Sequence, residues 1–301
     1  MRTRDVIEFE QCGRVITGRD VEHAKSIVQD FKALSRKELA HTICEHWGWV
    51  TASGSNKVDA CLKALERLED LGELRLPAKR KRPIVKPRKP EWTDKTRYGD
   101  DIIRDLKELG PVRLRMVTDT ADKGLWNEYV DRYHYLGYKK PFGFRVRYFI
   151  ESEQRLLGCM LFAGAAKSIG ARDNWIGWSN RRRISNLPWV INQSRYLIFP
   201  WVHVKNLASH VLGMAVRRVC DDWMDRWEYE PLLLETFVGE DYQGICYKAA
   251  GFQYLGMTTG QGLVRRSKSY TTRPKKIFVK PLTRDFRFLL CSEQLKGREQ
   301  R

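Results

Sequence analysis

The chain has 301 residues, of which 42% are hydrophobic and 31% are charged, and its formal net charge is +18. This hydrophobic fraction is large enough for packed cores and excludes a disordered polymer, and no apolar run reaches the ~18 residues that a membrane span needs. Seven scattered cysteines without a CxxC pair argue against a zinc ribbon and a secreted disulfide framework, so we expect a reduced, cytoplasmic protein of two domains.

Residues 1–77 are predicted to form the first domain, because residues 17–76 show apolar side chains at helical spacing. Ser35 and Glu38 form a capping box, in which each side chain satisfies a backbone donor of the other residue. This box opens a second helix, and Gly48 ends it. The pattern therefore predicts a helical domain with well-marked helix ends.

The third predicted helix of this domain begins after Asn56 and ends near Gly72, and residues 73–77 suit a short wing strand. Three helices and a wing are typical of a winged helix-turn-helix domain that reads the DNA major groove. Lys57 and Arg67 of the third helix are the predicted base contacts. The alternative is a three-helix module that binds another protein.

Residues 78–99 are rich in proline and cations and are predicted to be an extended linker. Within it, residues 79–97 contain nine lysines and arginines against two carboxylates. Clustered cations are typical of proteins that bind polyanions, because each neutralised phosphate releases counterions. The alternatives are a solvated linker and a nuclear-localisation-like segment. The cations predicted to contact phosphates here are Lys79, Arg80, Lys81 and Arg82.

Residues 100–301 alternate between helical and strand patterns, which predicts an α/β domain with a twisted mixed sheet and a hairpin at its front. The predicted helices span 101–109, 125–135, 207–223 and 244–250. The predicted strands span 142–150, 155–164, 194–204 with an interruption at Pro200, 231–238 and 251–255.

A second basic cluster, residues 265–287, follows the last predicted strand and contains nine lysines and arginines against one carboxylate. Its density of positive charge again favours binding to a polyanion over a merely solvated tail. The cations assigned to DNA in this cluster are Arg265, Arg266 and Lys275.

Two carboxylates are candidates for chemistry. Asp173 lies in a turn-rich segment beside an arginine and aromatic residues, and Glu235 lies near the end of a predicted central strand, where sites collect in α/β sheets. Together they are candidate ligands of a Mg²⁺ ion for phosphodiester hydrolysis. The alternatives are a loop-capping Asx turn for Asp173 and a structural ion pair of Glu235 with Arg172 or Arg195.

Tyr242 and Tyr247 lie five residues apart and are candidates to attack a phosphodiester or to protonate a leaving group. The alternative for each is ordinary packing of an aromatic side chain. His203 alternates with apolar neighbours on a strand edge and could face a cleft, the alternative being a structural histidine.

Between residues 172 and 201, arginines alternate with aromatic side chains. This mixture suits the stacking of unpaired bases on rings while guanidinium groups hold phosphates. The alternative is a buried aromatic cluster with a basic rim. The arginines assigned to DNA in this stretch are Arg181, Arg182, Arg183 and Arg195.

The order of strand, helix, strand and then the segment from Tyr247 to Phe252 resembles the Gcn5-related N-acetyltransferase fold. In that family a tyrosine of the terminal helix is often the general acid, which the resemblance places at Tyr247. The family holds the pyrophosphate of its cofactor in a glycine-rich loop. The matching residues 204–209 contain no glycine, so we do not expect acetyl-coenzyme A as the cofactor.

A second resemblance covers nearly the whole chain. Blocks that include Arg172–Trp178, Asn192–Tyr196, Glu235–Val238 and Tyr242–Lys248 resemble, in this order, the DruA family of the Druantia anti-phage system and its relatives in mobile elements. The resemblance implies DNA handling in phage defence or transposition and an acetyltransferase-like core.

We therefore expect a DNA-binding defence or mobile-element protein that acts on unpaired DNA or an exposed base. The first alternative is a catalytically inert DNA-recognition subunit that recruits a helicase or another effector. The second is a coenzyme A-dependent transferase that modifies a nucleobase. The sequence leaves open whether the protein is an enzyme; if it is one, we expect a DNA nuclease or strand-transfer enzyme before an acyltransferase.

Overall fold

The structure is a computed structural model that describes residues 8–79, 89–141, 143–153, 155–260, 271–293 and 295. These residues divide into two compact units. The first unit takes its residues from 1–86, 180–185 and 293–301, and the second from 87–179 and 186–292. The sequence-based boundaries at residues 77 and 100 lie on either side of the division between residues 86 and 87. The sequence did not predict that the later segments 180–185 and 293–301 belong to the first unit.

The first unit is built from an antiparallel hairpin followed by three helices. The hairpin strands are β1 (Phe9–Gln11) and β2 (Arg14–Ile16), and the helices are α1 (Gly18–Asp30), α2 (Arg36–Trp47) and α3 (Val58–Asp70). Their shared core is apolar and includes the fully buried side chains of Ile16, Leu39, Ile43 and Leu65. Each amphipathic helix therefore buries its apolar stripe in this shared core.

The capping box of α2 is confirmed. The Ser35 hydroxyl accepts the Glu38 backbone N–H, and a Glu38 carboxylate oxygen accepts the Ser35 backbone N–H at 2.7 Å. Gly48 ends the helix with a φ of +55°, a left-handed conformation that glycine adopts at little cost. The predicted wing strand at residues 73–77 is wrong: the segment has no strand partner, and the Leu76 N–H donates to the Glu69 carboxylate at 2.9 Å instead.

The second unit contains a seven-stranded mixed sheet with the order β10-β11-β9-β7-β6-β5-β4 and a separate parallel pair, β3 with β8. Its strands are β3 (Ile102–Arg104), β4 (Arg113–Met116), β5 (Arg145–Ser152), β6 (Arg155–Gly164), β7 (Val190–Ile198), β8 (Val202–Val204), β9 (Leu233–Gly239), β10 (Gln253–Met257) and β11 (Lys275–Pro281). Its helices are α4 (Thr120–Tyr133), α5 (Gly170–Ile176), α7 (Leu207–Trp227), α8 (Ile245–Ala249) and α9 (Phe286–Cys291), and α6 (Asn180–Asn186) lies mostly in the first unit. No helix of the described residues is both long enough and apolar enough to cross a membrane.

Several sequence-based elements needed correction. The helix predicted at 101–109 is wrong: strand β3 lies there and pairs with β8, with Ile102 opposite Val202. The long strand predicted at 194–204 is two strands, β7 and β8, separated near Pro200 as the sequence indicated. Strand β11, which pairs along the whole of β9, lies inside the second basic cluster and was not predicted.

The pairing of β7 with β9 positions the candidate site. These two strands are parallel but pair over three positions only, from Val190 with Leu233 to Asn192 with Glu235. Both strands continue beyond this point, β7 as far as Ile198 and β9 as far as Gly239. The backbone register of β7 against β6 also shifts at this point, so that Ser194 is a bulge residue. The sheet therefore opens between β7 and β9 beyond Asn192.

Candidate functional site

A cleft of about 740 Å³ lies where β7 and β9 stop pairing, and we call it the β7–β9 cleft. It is formed at the carboxyl ends of a parallel strand pair, where ligand sites collect in open α/β sheets. The divergence of the strands ends the backbone pairing between their facing edges after Asn192 and Glu235. The lining residues that matter for chemistry are Tyr135, Gln193, Ser194, Thr236, Tyr242 and Tyr247.

Inside the cleft, Tyr247 and Gln193 form a buried hydrogen bond. The Tyr247 hydroxyl donates to Gln193 Oε1 at 2.6 Å, and the Thr236 hydroxyl donates to the Gln193 backbone carbonyl at 2.9 Å. The Tyr247 ring stacks on Phe278 with the ring centroids 5.6 Å apart. Burial raises the pKa of Tyr247, so the hydroxyl stays protonated at neutral pH. Tyr247 is thus a neutral hydrogen-bond donor rather than a tyrosinate.

Three consecutive residues of β7 carry buried polar atoms without a hydrogen-bond partner in the described part of the chain. These atoms are Asn192 Oδ1, Gln193 Nε2 and Ser194 Oγ. The Gln193 side chain is only 3% exposed. An unsatisfied buried polar atom costs about 1–3 kcal/mol, so such atoms gathered beside a cleft indicate groups that a ligand would satisfy.

The mouth of the cleft carries two exposed tyrosines, Tyr135 and Tyr242, which are 55% and 52% exposed. Their ring centroids lie 5.4 Å apart, with the rings inclined at 44°. His134 also stacks on Tyr135, with the ring centroids 4.7 Å apart. Burial, and then the charges of Arg195 and Lys275, lower the pKa of His134 to about 4, so this histidine is neutral at physiological pH.

Arg195 and Lys275, both assigned to DNA from the sequence, lie close to this mouth. Arg195 donates from Nε to the Gly137 carbonyl at 3.1 Å and from Nη1 to the Ser194 carbonyl at 2.6 Å. Burial lowers the pKa of both cations, and the pKa of Lys275 is lowered further by the charges of Arg195 and Lys139. Neither cation forms an ion pair with a carboxylate of the described residues.

Asp173 and Glu235 are joined through a buried arginine. Arg172 donates to Glu235 Oε2 at 2.6 Å and to Asp173 Oδ1 at 2.7 Å, and the other Glu235 oxygen accepts the Ala166 N–H at 2.7 Å. Burial raises the pKa of Glu235, although the positive charge of Arg172 opposes this. The arrangement matches the structural ion pair that the sequence left open for Glu235.

This network does not fit the predicted Mg²⁺ site. A guanidinium group lies between the two carboxylates and repels a divalent cation from the same position. In the described segments, no group of three or more His, Cys, Asp or Glu residues is arranged to hold a metal ion. Asp173 also lies in the short helix α5 rather than in a turn-rich loop.

The remaining predicted residues lie outside the cleft lining. His203 is exposed on β8, with Nε2 at 3.6 Å from an Asp101 carboxylate oxygen. Three aromatic members of the predicted base-stacking stretch, Trp178, Trp189 and Trp201, are buried as core residues. The three consecutive arginines Arg181, Arg182 and Arg183 lie in α6, where Arg182 lies 3.4 Å from a carboxylate oxygen of Glu293.

In the first unit, Lys57 precedes α3 and is half-buried, and burial lowers its pKa. The guanidinium of Arg67 lies over the Phe9 ring, 4.3 Å from its centroid. Lys79 lies 2.8 Å from a carboxylate oxygen of Glu66. Arg80, Lys81, Arg82, Arg265 and Arg266 lie outside the described residues.

Sequence reasoning missed Gln193, Ser194 and Tyr135 as site residues. The signal for the first two was the polar run from Asn192 to Arg195 inside an otherwise apolar strand, since polar residues in a buried strand need a partner. Tyr135 carried no such signal, because it lies just beyond the end of α4 and its neighbour Tyr242 is more than a hundred residues away in the sequence.

Comparison with known proteins identifies one family. The model of the family described as Druantia protein DruA matches residues 65–276, which is more than half of the chain. No curated protein matches.

Solved structures that resemble the chain are acetyltransferases. Aminoglycoside acetyltransferase AAC(6')-Ib in complex with coenzyme A and kanamycin is 18% identical, with a TM-score of 0.38 and coverage of 58% of this chain and 96% of that one. Spermidine/spermine N-acetyltransferase SpeG from Vibrio cholerae, in complex with manganese ions, is 11% identical, with a TM-score of 0.37 and coverage of 57% and 92%. An N-acetyltransferase from Staphylococcus aureus Mu50 is 10% identical, with a TM-score of 0.35 and coverage of 57% and 99%. TM-scores of this size assign neither a fold nor an activity.

Proposed function

The chain belongs to the DruA family, and from this premise we propose that it is a cytoplasmic DNA-binding protein of an anti-phage defence system or a mobile element, whose β7–β9 cleft accepts a base of unpaired DNA. One observation carries the proposal: two exposed tyrosines stand at the mouth of a cleft whose wall holds buried polar atoms without partners. Aromatic faces bind unpaired bases of any sequence by stacking.

The rings of Tyr135 and Tyr242 would stack on the entering base. Gln193 would then contact its edge, because the Tyr247 hydroxyl engages Oε1 and leaves the amide Nε2 as a free donor. Ser194 Oγ can donate or accept, so it adapts to either kind of group on a base. A base inside the cleft would thus satisfy atoms that are otherwise buried without partners.

The net charge of +18 supports DNA as the partner. Most of the excess lies in the two basic clusters, residues 79–97 and 265–287, of which the structure describes only parts. Positive charge that is concentrated in short segments favours the phosphate backbone over a small neutral ligand.

Two finer features of the fold belong to the same proposal. We infer a Gcn5-related N-acetyltransferase-like fold for the second unit from its parallel strands β7 and β9, which separate after three paired positions. We infer a helix-turn-helix role for the first unit from α2 and α3, although the hairpin β1–β2 lies before the helices and residues 71–79 after them form no wing strand.

The ion-pair network favours the inert alternative, in which the protein recognises DNA and recruits a helicase or another effector. Asp173 and Glu235 are engaged with Arg172, and the Tyr247 proton is engaged with Gln193. Neither carboxylate is therefore placed as a free base, and Tyr247 is not placed as a nucleophile.

The proposal is tested by fluorescence anisotropy with a single strand of about 12 nucleotides and the matching duplex. The double variant Tyr135→Leu/Tyr242→Leu should weaken binding of the single strand about tenfold or more, because each stacked base contributes about 1–3 kcal/mol. Phe288→Leu is the control, since Phe288 is an exposed aromatic outside the cleft lining. Equal affinity of all three proteins would contradict the proposal.

The same incubations, with Mg²⁺ or a chelator and read by intact-mass spectrometry, decide between binder and enzyme. Unchanged DNA would support the recruiting subunit. Shortened DNA that forms with Mg²⁺ but not with the chelator would instead establish a nuclease. A covalent protein–DNA adduct would establish a nucleophilic residue. A parallel titration with acetyl-coenzyme A tests the transferase alternative.

A further inference from the structure

We infer that Lys139, Arg195 and Lys275 form a phosphate-binding site beside the mouth of the β7–β9 cleft, which holds a phosphodiester linkage next to the base in the cleft. The inference rests on the proposed function and adds to it the position of the DNA phosphate backbone.

One loop carries Lys139 and links the strands that carry the other two cations, Arg195 on β7 and Lys275 on β11. The loop after α4, residues 134–139, begins with His134, Tyr135 and Leu136 in the cleft wall and ends with Lys139. The Gly137 carbonyl of this loop accepts the Arg195 Nε–H. The Tyr135 ring lies against Gly239, where an added Cβ would be 3.6 Å from the Tyr135 hydroxyl oxygen. Gly239 is paired with Lys275 across β9 and β11. The loop therefore contacts both sides of the opening between the strands.

The positive charges at this position are not neutralised by the protein. No carboxylate of the described residues forms an ion pair with Lys139, Arg195 or Lys275. Asp241 lines the cleft and still forms no ion pair with them. Arg195 and Lys275 are half-buried, so part of their hydration is lost. Neighbouring half-buried cations repel one another, and this arrangement is unfavourable unless an anion binds between them.

The free donors of the cluster suit a phosphate group. Arg195 uses Nε and Nη1 on backbone carbonyls, and its Nη2 forms no hydrogen bond among the described residues. These backbone bonds fix the plane of the guanidinium, so its remaining donor is held in one direction. Lys275 and Lys139 add mobile ammonium groups, which bind phosphate as point charges.

The neighbouring polar atoms indicate where the base and the phosphate of a bound nucleotide would lie. Gln193 Nε2, nine-tenths or more buried and without a partner, is in the cleft wall and suits a base edge rather than a charged group. The cations lie at the side of the exposed tyrosines. A nucleotide would therefore enter base first, with its phosphate left at the mouth between Arg195 and Lys275.

The test uses the full chain and a single strand of about 12 nucleotides that carries one 2-aminopurine, with either a phosphodiester or a neutral methylphosphonate next to it. We expect Arg195→Gln and Lys275→Gln each to weaken binding of the phosphodiester strand about three- to tenfold and to reduce the salt slope by about one. Both variants should bind the methylphosphonate strand as the unchanged protein does. Lys280→Gln is the matched control, because Lys280 lies on the same strand, β11, and donates to the Gly251 carbonyl instead. Asp241→Asn should strengthen binding.

The outcomes separate this inference from the proposed function. The 2-aminopurine fluorescence could be quenched while Arg195→Gln, Lys275→Gln and the methylphosphonate leave the binding affinity unchanged. This result would overturn the phosphate site and leave the base-binding cleft intact. No binding of either strand would overturn the proposed function. Inorganic pyrophosphate and coenzyme A are then titrated while the His134 imidazole is followed by NMR. A change in the NMR signal of His134 with pyrophosphate would support an anion site. A change with coenzyme A alone would assign the anion to a cofactor. No change with either ligand would overturn the inference.

Discussion

At the scale of single residues, the surroundings of a side chain decide its chemistry more than its type does. Glu235 and Asp241 are both carboxylates near the same strand, yet Glu235 is fully buried on Arg172 while Asp241 is exposed at the cleft. The first is therefore held in a buried ion pair, and the second adds a negative charge at the cleft. Sequence position alone could not separate these roles, because the partner of Glu235 lies 63 residues away.

His134 gives a prediction at this scale. The charges of Arg195 and Lys275 help to hold its pKa at about 4, so Lys275→Gln should raise that pKa by removing one positive neighbour. An NMR titration of the imidazole measures the shift, and Lys280→Gln should leave it unchanged. An identical titration in Lys275→Gln would show that Lys275 does not act on this ring.

The same group contributes to the dependence of stability on pH. The pKa of His134 in the folded state lies below its ordinary value, so the unfolded chain binds more protons in the interval between them. The contribution of His134 to stability is therefore fully present above pH ~6.5 and is lost as the pH falls towards ~4. His134→Phe should flatten the free energy of unfolding over this window in urea titrations.

At the scale of helices and strands, the sequence predicted those features that a few neighbouring residues determine. The capping box at Ser35 and Glu38, the break near Pro200 and the start of α7 at Leu207 depend on a few neighbouring residues, and these predictions are confirmed. Strand β3 was missed because its pairing partner, β8, is about a hundred residues away in the sequence. The cleft was missed for the same reason, since it exists only where β7 and β9 stop pairing.

Gly158 gives a prediction for the central strands. A Cβ at this position would lie 2.1 Å from the Leu197 carbonyl oxygen on β7 and 3.2 Å from Ile150 Cδ1 on β5. Gly158→Ala must therefore push β6 and β7 apart, and we expect a loss of at least about 2 kcal/mol in the free energy of unfolding. Gly124→Ala is the control, because nothing lies within 4 Å of the Cβ it adds. Equal urea midpoints for the two variants would show that β7 moves freely, and the geometry assigned to the cleft would then be wrong.

At the scale of the whole molecule, charge would govern the encounter with DNA under the proposed function. The excess of +18 belongs largely to two basic clusters, and under the proposed function it would attract any nucleic acid regardless of sequence. Base contacts in the β7–β9 cleft would add selectivity for unpaired strands. Long-range attraction and selective binding would then reside in different parts of the chain.

This separation predicts a strong dependence on salt. Between about 50 and 200 mM salt, six phosphate contacts should lower the affinity for duplex DNA by about a thousandfold or more and the affinity for a single strand by about a few hundredfold. The ratio of the two affinities should shift by only about fivefold towards the single strand, because single strands have the smaller salt slope and stacking itself is insensitive to ionic strength. Anisotropy titrations over this range measure both quantities, and a flat salt response would contradict a polyanion partner.

The way the chain is shared between the two units has a consequence for synthesis on the ribosome. The first unit draws on residues 180–185 as well as on the opening segment, and an added Cβ at Gly13 would lie 2.7 Å from the Ser185 hydroxyl. The opening helices therefore emerge long before the segment that completes their unit. Folding of the first unit must wait for, or be revised after, translation of residues 87–179 of the second unit, so a nascent chain cut at the basic linker is an unfinished unit rather than a free-standing domain.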